Sequence, residues 1–113
     1  MTPYCIIFTT ANDAHQARKI TNALLPAHAA ADVQTSDINS SYWWKGEVRN
    51  KPEILLTIKT KTELFPTLEK IIRENHTYEV PQIVAIPIIA GSKDYLDWIK
   101  EETQYAASGI KKK

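Results

Sequence analysis

The chain begins with an apolar run that is followed by a helical period. Residues 4–10, YCIIFTT, are rich in β-branched and aromatic side chains, which favours a buried strand. Residues 11–25 then place apolar side chains at i, i+3 and i+7 on one helix face: Ala17, Ile20 and Leu24. Asn12 or Asp13 can cap this helix, and Pro26 ends it. The pattern therefore predicts a strand and then a helix.

Two extended segments come next, and a turn joins them. Residues 30–48 form a long extended stretch, and residues 53–60, EILLTIKT, are typical of a strand. Between them, RNKP at 49–52 carries residues that favour a turn. We therefore predict a long β-hairpin whose turn lies at 49–52.

A second amphipathic helix follows the hairpin. Its apolar stripe falls at i, i+4, i+7 and i+8: Leu64, Leu68, Ile71 and Ile72. Thr62 is the predicted N-cap of this helix. Pro66 is tolerated because it falls in the first turn, where a helix does not need the backbone N–H that proline lacks.

The last third of the chain predicts one more strand and one more helix. Residues 82–89, QIVAIPII, favour a strand, in which Pro87 indicates an edge position or a bulge. Gly91 and Ser92 precede a final helix. Its predicted packing face consists of three residues: Tyr95, Trp98 and Ile99.

The predicted order of elements is βαββαβ with an additional C-terminal helix, which is an α+β arrangement. A split βαβ unit, with an antiparallel sheet and helices on one of its faces, accounts for this order. The opposite face of such a sheet is bare. An exposed apolar patch on it would mark an interaction surface.

The segment SSYWWKGEV, residues 40–48, places three aromatic rings side by side. Successive side chains of a strand point to opposite faces, so Tyr42 and Trp44 share one face while Trp43 takes the other. One small core can cover only one of these faces. The segment therefore indicates that a ligand or another subunit covers the second.

Length and charge exclude several classes of function. The 113 residues suffice for one domain, 1–113, in which we interpret 105–113 as a flexible tail. With 14 Lys and Arg against 13 Asp and Glu, nothing indicates a nucleic-acid partner or an acidic membrane. Residues 1–10, MTPYCIIFTT, lack the basic n-region and the longer apolar run of a signal sequence, so we expect none here. No stretch has the roughly 18 apolar residues of a spanning helix, and Cys5 is the only cysteine. We predict a cytoplasmic protein in which Cys5 packs as a small apolar side chain.

Four stretches carry motifs in a specific order and spacing. They are SSYWWKGEV (40–48), EILLTIKT (53–60), HTYEVPQIVAIPI (76–88) and GSKDYLDWI (91–99). Together with the first strand and helix they span nearly all of residues 4–102. In this combination the sequence resembles the CutA divalent-cation tolerance proteins.

The resemblance implies a ferredoxin-like fold whose long second and third strands overhang the subunit and pair with neighbours in a homotrimer. Tyr42, Trp43 and Trp44 would lie at the trimer interface, one face on their own core and the other on an adjacent protomer. The resemblance also implies a non-enzymatic role in tolerance of, binding of or response to divalent metal ions such as copper. Two positions depart from the family pattern: Asp32 stands where a cysteine is common, and Thr77 stands where the signature has proline.

The candidate metal ligands are His76, Glu79 and Asp32, with Asp37 as a further donor. His76 and Glu79 follow the end of a predicted helix, where a loop can turn both toward one cation. Nitrogen and oxygen donors suit weakly bound divalent copper or zinc better than monovalent copper. In the alternative interpretation, His76 caps the preceding helix and Glu79 pairs with a nearby cation.

Two other classes of small protein are alternatives to the metal-tolerance interpretation. The small acylphosphatases would need an arginine in the loop after the first strand, and TTANDA has none. A signalling trimer like the PII family would bind a small anion in clefts between subunits. Thr9, Thr10 and the start of the first helix offer backbone donors for such an anion, and Lys59 offers a positive charge.

Overall fold

Four antiparallel strands form one sheet in the order β2-β3-β1-β4. In the computed structural model, which describes residues 3–104, the elements are β1 Tyr4–Ala11, α1 Ala14–Leu24, β2 Asp32–Trp44, β3 Glu47–Lys61, a 3₁₀ turn Thr62–Leu64, α2 Phe65–Glu74, β4 Ile83–Pro87 and α3 Lys93–Thr103. The α+β arrangement and the order of elements are as predicted. The predicted tail, 105–113, lies outside the described residues.

The core lies between one face of the sheet and the helices α1 and α2. Alternate residues of β1 and β3 face it as register pairs, for example Ile7 opposite Ile58. Both of these side chains are fully buried. Cys5 belongs to the same cluster, so its predicted packing role is confirmed, and burial raises the pKa of its thiol. We call the sheet face opposite α1 and α2 the open face.

The ends of the first two helices follow different rules. The Asp13 carboxylate accepts a hydrogen bond from the Gln16 backbone N–H at 2.9 Å, which confirms the predicted cap of α1. Pro66 lies in the first turn of α2, also as predicted. The prediction for Thr62 is wrong, because Thr62 begins the 3₁₀ turn and no side chain caps either helical segment there.

The hairpin turn begins four residues earlier than predicted and is shorter. The register continues to Trp44 opposite Glu47, so the turn consists of Lys45 and Gly46, whose φ angles are 50° and 82°. Two positive φ angles fit a tight turn that matches the twist of the strands, and glycine adopts the second without strain. The segment 49–52 belongs to β3. Its Pro52 is accommodated because β1 pairs only with residues 54–61, so that β3 has just one neighbouring strand at Pro52.

The third helix departs from the predicted arrangement. Tyr95 donates a hydrogen bond to Asp32 at 3.0 Å, and Asp32 is the register partner of Lys59. The side chain of Lys59 points away from the core because its neighbour Ile58 points into it. Thus α3 reaches one end of the open face, and the prediction that all helices cover the same face is wrong.

The predicted packing face of α3 is only partly buried. Ile99 is fully buried, while Tyr95 and Trp98 remain 37% and 38% exposed. The short strand β4 is an edge of the sheet and ends at Pro87, which confirms the predicted edge position. None of the helices within residues 3–104 combines the length and apolar character needed to cross a membrane.

Two adjacent leucines at the end of α1, Leu24 in the helix and Leu25 just after it, test the position of the core. Leu24 is fully buried and Leu25 is 38% exposed. We expect Leu24→Ala to lower the free energy of unfolding by about 2–5 kcal/mol, since it leaves a cavity in the core. The matched substitution Leu25→Ala should cost less than about 1 kcal/mol. Urea unfolding followed by circular dichroism measures both, and equal losses would contradict this assignment of the core.

Candidate functional site

A cleft of about 610 Å³ opens on the open face, beyond the end of β1. One wall is the overhanging half of the β2–β3 hairpin, and the other is the segment between α2 and β4. Its lining residues are Thr10, Ser40, Ser41, Tyr42, Trp44, Arg49, Lys51, Glu53, Tyr78, Glu79, Val80, Pro81 and Gln82. We call it the hairpin cleft. Its size lies within the range of small-molecule sites.

The floor of the hairpin cleft is a hydrogen-bonded tyrosine and glutamate. The Tyr78 hydroxyl donates to Glu53 Oε2 at 2.6 Å, and Glu53 is only 7% exposed. Burial, followed by the hydrogen bond and the charge of Glu53, raises the pKa of Tyr78 well above its ordinary value. Tyr78 therefore remains a protonated donor, and the buried carboxylate keeps its partner.

Lys51 lies directly above this floor. Its Nζ is 4.2 Å from the centroid of the Tyr78 ring and donates to Asn12 Oδ1 at 3.0 Å. The first contact is a cation–π interaction. The second joins β3 to Asn12, in the short segment between β1 and α1. Lys51 thus connects the hairpin to the body of the subunit.

His76 attaches the α2–β4 segment to the end of β1. Its Nδ1 accepts a hydrogen bond from the Tyr78 backbone N–H at 3.1 Å, and its Nε2 lies 2.6 Å from the Thr10 carbonyl oxygen. Because Nδ1 accepts a hydrogen bond and the Thr10 carbonyl can only accept one, Nε2 carries the hydrogen and donates it. Both ring nitrogens are therefore engaged. The alternative interpretation, in which His76 caps α2, is correct only for its backbone, whose N–H donates to the Arg73 carbonyl at 3.4 Å, while the ring bonds Thr10.

Thr77, which stands where the family signature has proline, has a hydrogen-bond partner in the structure. Thr77 Oγ1 accepts a hydrogen bond from Gln16 Nε2 at 2.7 Å. The other amide atom of Gln16, Oε1, accepts from the Asn12 backbone N–H at 2.8 Å. The Gln16–Thr77 hydrogen bond thus attaches the α2–β4 segment to the first turn of α1. A proline at this position would instead have stiffened the backbone of the segment.

The structure does not bring the three predicted metal ligands together within one chain. Asp32 pairs with Lys59, which pairs with Ile6, whereas His76 bonds Thr10, four residues farther along β1. At about 3.4 Å per residue, this separation is roughly 14 Å.

The contacts of the three candidate carboxylate ligands also place them apart from one another. Glu79 lies at the hairpin cleft, while Asp37 is exposed on β2. Asp32 accepts a hydrogen bond from Tyr95 and lies 3.7 Å from Lys59 Nζ. Residues 3–104 contain no group of three or more His, Cys, Asp or Glu side chains arranged to hold a metal ion. The metal site stays a prediction.

The predicted anion-binding residues are also dispersed. The Thr9 side chain is fully buried on the core side, and its hydroxyl has no hydrogen-bond partner in the described residues. Thr10 lines the hairpin cleft. Lys59 lies near Asp32 and donates to Gln34, at the other end of the sheet from Thr10.

The hairpin cleft contains residues that sequence reasoning missed: Arg49, Lys51, Glu53 and Tyr78. Three of them alternate along β3 on one face. Their i, i+2, i+4 spacing would have revealed that they share a strand face, but the turn predicted at 49–52 interrupted that strand. Tyr78 could not have been found in this way, since it reaches Glu53 across 25 positions of sequence.

The aromatic side chains of the hairpin divide between its two faces as predicted. Tyr42 and Trp44 line the hairpin cleft. Trp43 points to the opposite face and is 74% exposed. The expectation that one face of these rings lies on their own core is wrong, because the hairpin extends beyond the core of the subunit.

Comparison with known proteins identifies the family. The model of the family described as "CutA1 divalent ion tolerance protein" matches residues 5–102. This chain belongs to the CutA family. The divalent-cation tolerance protein CutA of Thermus thermophilus is 40% identical over 99 residues, which are 87% of this chain and 96% of that protein. The resemblance of the four motifs to this family is thereby confirmed.

Solved structures of CutA proteins have the same fold. The structure from Thermus thermophilus gives a TM-score of 0.86 at 40% identity, covering 88% of this chain and 98% of that one. The structure of the periplasmic divalent cation tolerance protein CutA from Archaeoglobus fulgidus gives a TM-score of 0.87 at 35% identity, with coverage of 88% and 98%. The four-stranded antiparallel sheet and three helices are therefore the CutA arrangement.

CutA proteins differ in length and in described location. Human Protein CutA is 34% identical over 104 residues, which are 91% of this chain but 58% of the human protein. The rice relative is named chloroplastic, and the Archaeoglobus protein is described as periplasmic. The predicted cytoplasmic location of this chain therefore stays a prediction.

The Tyr78–Glu53 hydrogen bond can be tested by substitution. Tyr78→Phe leaves a buried carboxylate without its donor, so we expect it to lower the free energy of unfolding by about 1–3 kcal/mol at neutral pH. Tyr95→Phe removes a hydroxyl that bonds the less buried Asp32, so it should cost less. Thermal unfolding at pH 7 measures both. An equal or smaller cost for Tyr78→Phe would contradict the importance of this bond.

The raised pKa of Tyr78 has a consequence at alkaline pH. Folding stabilises the protonated hydroxyl, so its contribution is complete below the unfolded-state pKa of about 10 and is lost as pH rises above it. We expect the unfolding free energy to fall above pH 10 less steeply in Tyr78→Phe than in the parent protein. Ultraviolet absorbance of tyrosinate should show one late-ionising tyrosine fewer in the variant. Unchanged titration curves would be inconsistent with the assignment.

Proposed function

We propose that this CutA chain is a non-enzymatic, cytoplasmic homotrimer that takes part in tolerance of divalent metal ions such as copper. The observation that carries the proposal is the family match over residues 5–102. The name of the Thermus relative, 40% identical, describes divalent-cation tolerance. A buried free thiol at Cys5 is compatible with a reducing compartment.

The exposed hairpin supports the homotrimer. Trp43 and Val48 are register partners on the same face, and they are 74% and 55% exposed. On the open face, Val84 and Ile86 are 46% and 50% exposed. Large exposed apolar side chains next to open strand edges are usually covered by another chain. A closed ring of three subunits would cover these four side chains and leave no free edge.

Weak divalent binding through His76, Glu79 and Asp32 belongs to the same proposal. Because Asp32 lies roughly 14 Å along the sheet from His76, Asp32 would have to come from a neighbouring subunit to join such a site. His76 would have to exchange its Thr10 hydrogen bond for the metal. Nitrogen and oxygen donors of this kind favour divalent copper or zinc.

The state of the titratable groups at the hairpin cleft supports a non-enzymatic role. Both nitrogens of His76 are hydrogen-bonded, and the hydroxyl of Tyr78 is held protonated by Glu53. A general base needs a free acceptor within reach of its substrate. Neither His76 nor Tyr78 offers one in this arrangement.

A PII-like signalling trimer is the second candidate, and the hairpin cleft is the observation that favours it. The predicted anion residues Thr9 and Lys59 do not support it, since one faces the core and the other is neutralised by Asp32. A small molecule would have to bind at the hairpin cleft instead.

The assembly is tested by light scattering after size exclusion. We expect three times the chain mass of 12.8 kDa at micromolar concentration. Trp43→Ala should shift the assembly toward monomer, because burial of this ring at an interface is worth roughly 3–5 kcal/mol. Leu25→Ala is a control that removes an apolar side chain, 38% exposed, away from the hairpin. A monomeric parent protein would refute the homotrimer.

The metal assignment is tested by calorimetry with divalent copper and zinc. We expect weak binding that His76→Ala abolishes and that acidification weakens, since a protonated imidazole cannot ligate a metal. His15→Ala serves as a control with an exposed histidine on α1. Copper binding that is unchanged in His76→Ala would remove His76 from the site.

A further inference from the structure

We propose that the hairpin cleft binds a small zwitterion, an amino-acid-like molecule that carries one carboxylate and one ammonium group. The cations Arg49 and Lys51 would receive the carboxylate, and Glu79 on the opposite wall would receive the ammonium group. This inference specifies the ligand class of the second candidate function. It rests on that function but not on metal binding.

Within residues 3–104, Lys51 and Arg49 form a pair of cations that have no carboxylate partner. They are two residues apart on the same face of β3, about 7 Å along the strand. The ion pairs of residues 3–104 involve other basic side chains, namely Lys59, Lys61, Arg73 and Lys93. Two neighbouring cations left without a counterion are suited to bind an anionic group.

The hydrogen bonds of Lys51 leave it one donor for such a ligand. An ammonium group has three N–H donors. Asn12 Oδ1 accepts one of them, and the face of the Tyr78 ring occupies a second direction. These two contacts also fix the position of Nζ before any ligand arrives. A pre-positioned donor loses less entropy when the ligand binds.

The charge of the hairpin cleft as a whole selects against polyanions. Two carboxylates, Glu53 and Glu79, balance the two cations. Glu53 is buried and accepts a hydrogen bond from the Tyr78 hydroxyl. Glu79 is exposed on the α2–β4 wall and forms no ion pair with the described residues. A nucleotide would bring several negative charges into a site that is neutral overall. A zwitterion matches both its charges and its neutrality.

The aromatic side chains provide an apolar surface for the body of the ligand. Trp44 and Tyr42 lie on the β2 wall beside the two cations, because Tyr42 is the register partner of Arg49. A planar apolar group can stack on such rings. We therefore expect aromatic amino acids to bind better than small aliphatic ones.

Calorimetric titration of the assembled protein with L-phenylalanine tests this inference. The matched probes are 3-phenylpropionate, which lacks the ammonium group, 2-phenylethylamine, which lacks the carboxylate, and ATP as a polyanion. We expect phenylalanine to bind most tightly. Loss of either charged group should weaken binding at least about tenfold, as expected when a hydrogen bond to a charged group is lost.

Two variants and two controls locate the site. Lys51→Met and Glu79→Gln should each weaken phenylalanine binding at least about tenfold. Lys70→Met and Glu74→Gln make the same charge changes on the exposed surface of α2 and should leave binding unchanged. Glu79 is exposed, so Glu79→Gln tests the site even if Lys51→Met, which loses two contacts, folds poorly.

The possible outcomes separate this inference from the homotrimer. Absence of phenylalanine binding, tighter binding of ATP, or equal binding of 3-phenylpropionate would each overturn the zwitterion site. A subunit that fills the hairpin cleft in the assembly would produce the first of these results. Binding to a monomeric protein would leave the site intact while refuting the homotrimer, because both cations and Glu79 belong to one chain.

Discussion

A difference in strand length determines most of this structure. β3 has 15 residues and β1 has eight, so β1 can pair with only about half of its neighbour. β2 follows β3 to its far end, and the two strands continue as a hairpin beyond the sheet and its helices. This overhang produces three features: exposed aromatic rings, a long unpaired strand edge, and a cleft beside the end of β1. A single chain of this size cannot cover them.

Several polar contacts hold the two walls of the hairpin cleft in fixed positions relative to each other. His76 bonds the end of β1, Tyr78 bonds β3, and Lys51 contacts both Asn12 and the Tyr78 ring. Because these contacts join the α2–β4 segment to the base of the hairpin, the two walls are held in register with each other. These contacts are partly buried, and a polar network whose members are all satisfied favours one geometry.

The two departures from the family pattern each have a partner elsewhere in the chain. Thr77 accepts a hydrogen bond from Gln16, and Asp32 accepts one from Tyr95. The first bond holds the wall of the hairpin cleft, and the second attaches α3 to the beginning of β2. Neither partner is close in sequence, so the substitutions become intelligible only in the folded chain.

The sequence by itself determined the order of the elements, the core faces of α1 and α2, and the division of Tyr42, Trp43 and Trp44 between two faces. These features depend on local periodicity, which a single sequence displays. The tertiary structure alone decided where the hairpin turns. Asn50 and Pro52 favour a turn locally, but pairing with β2 outweighs that preference, and the absence of β1 at this level accommodates proline. The tertiary structure also decided which polar side chains meet: Tyr78 contacts Glu53, whereas Asp32 and His76 lie apart. Such contacts depend on strand register across the sheet, and they leave no periodic signal in the sequence.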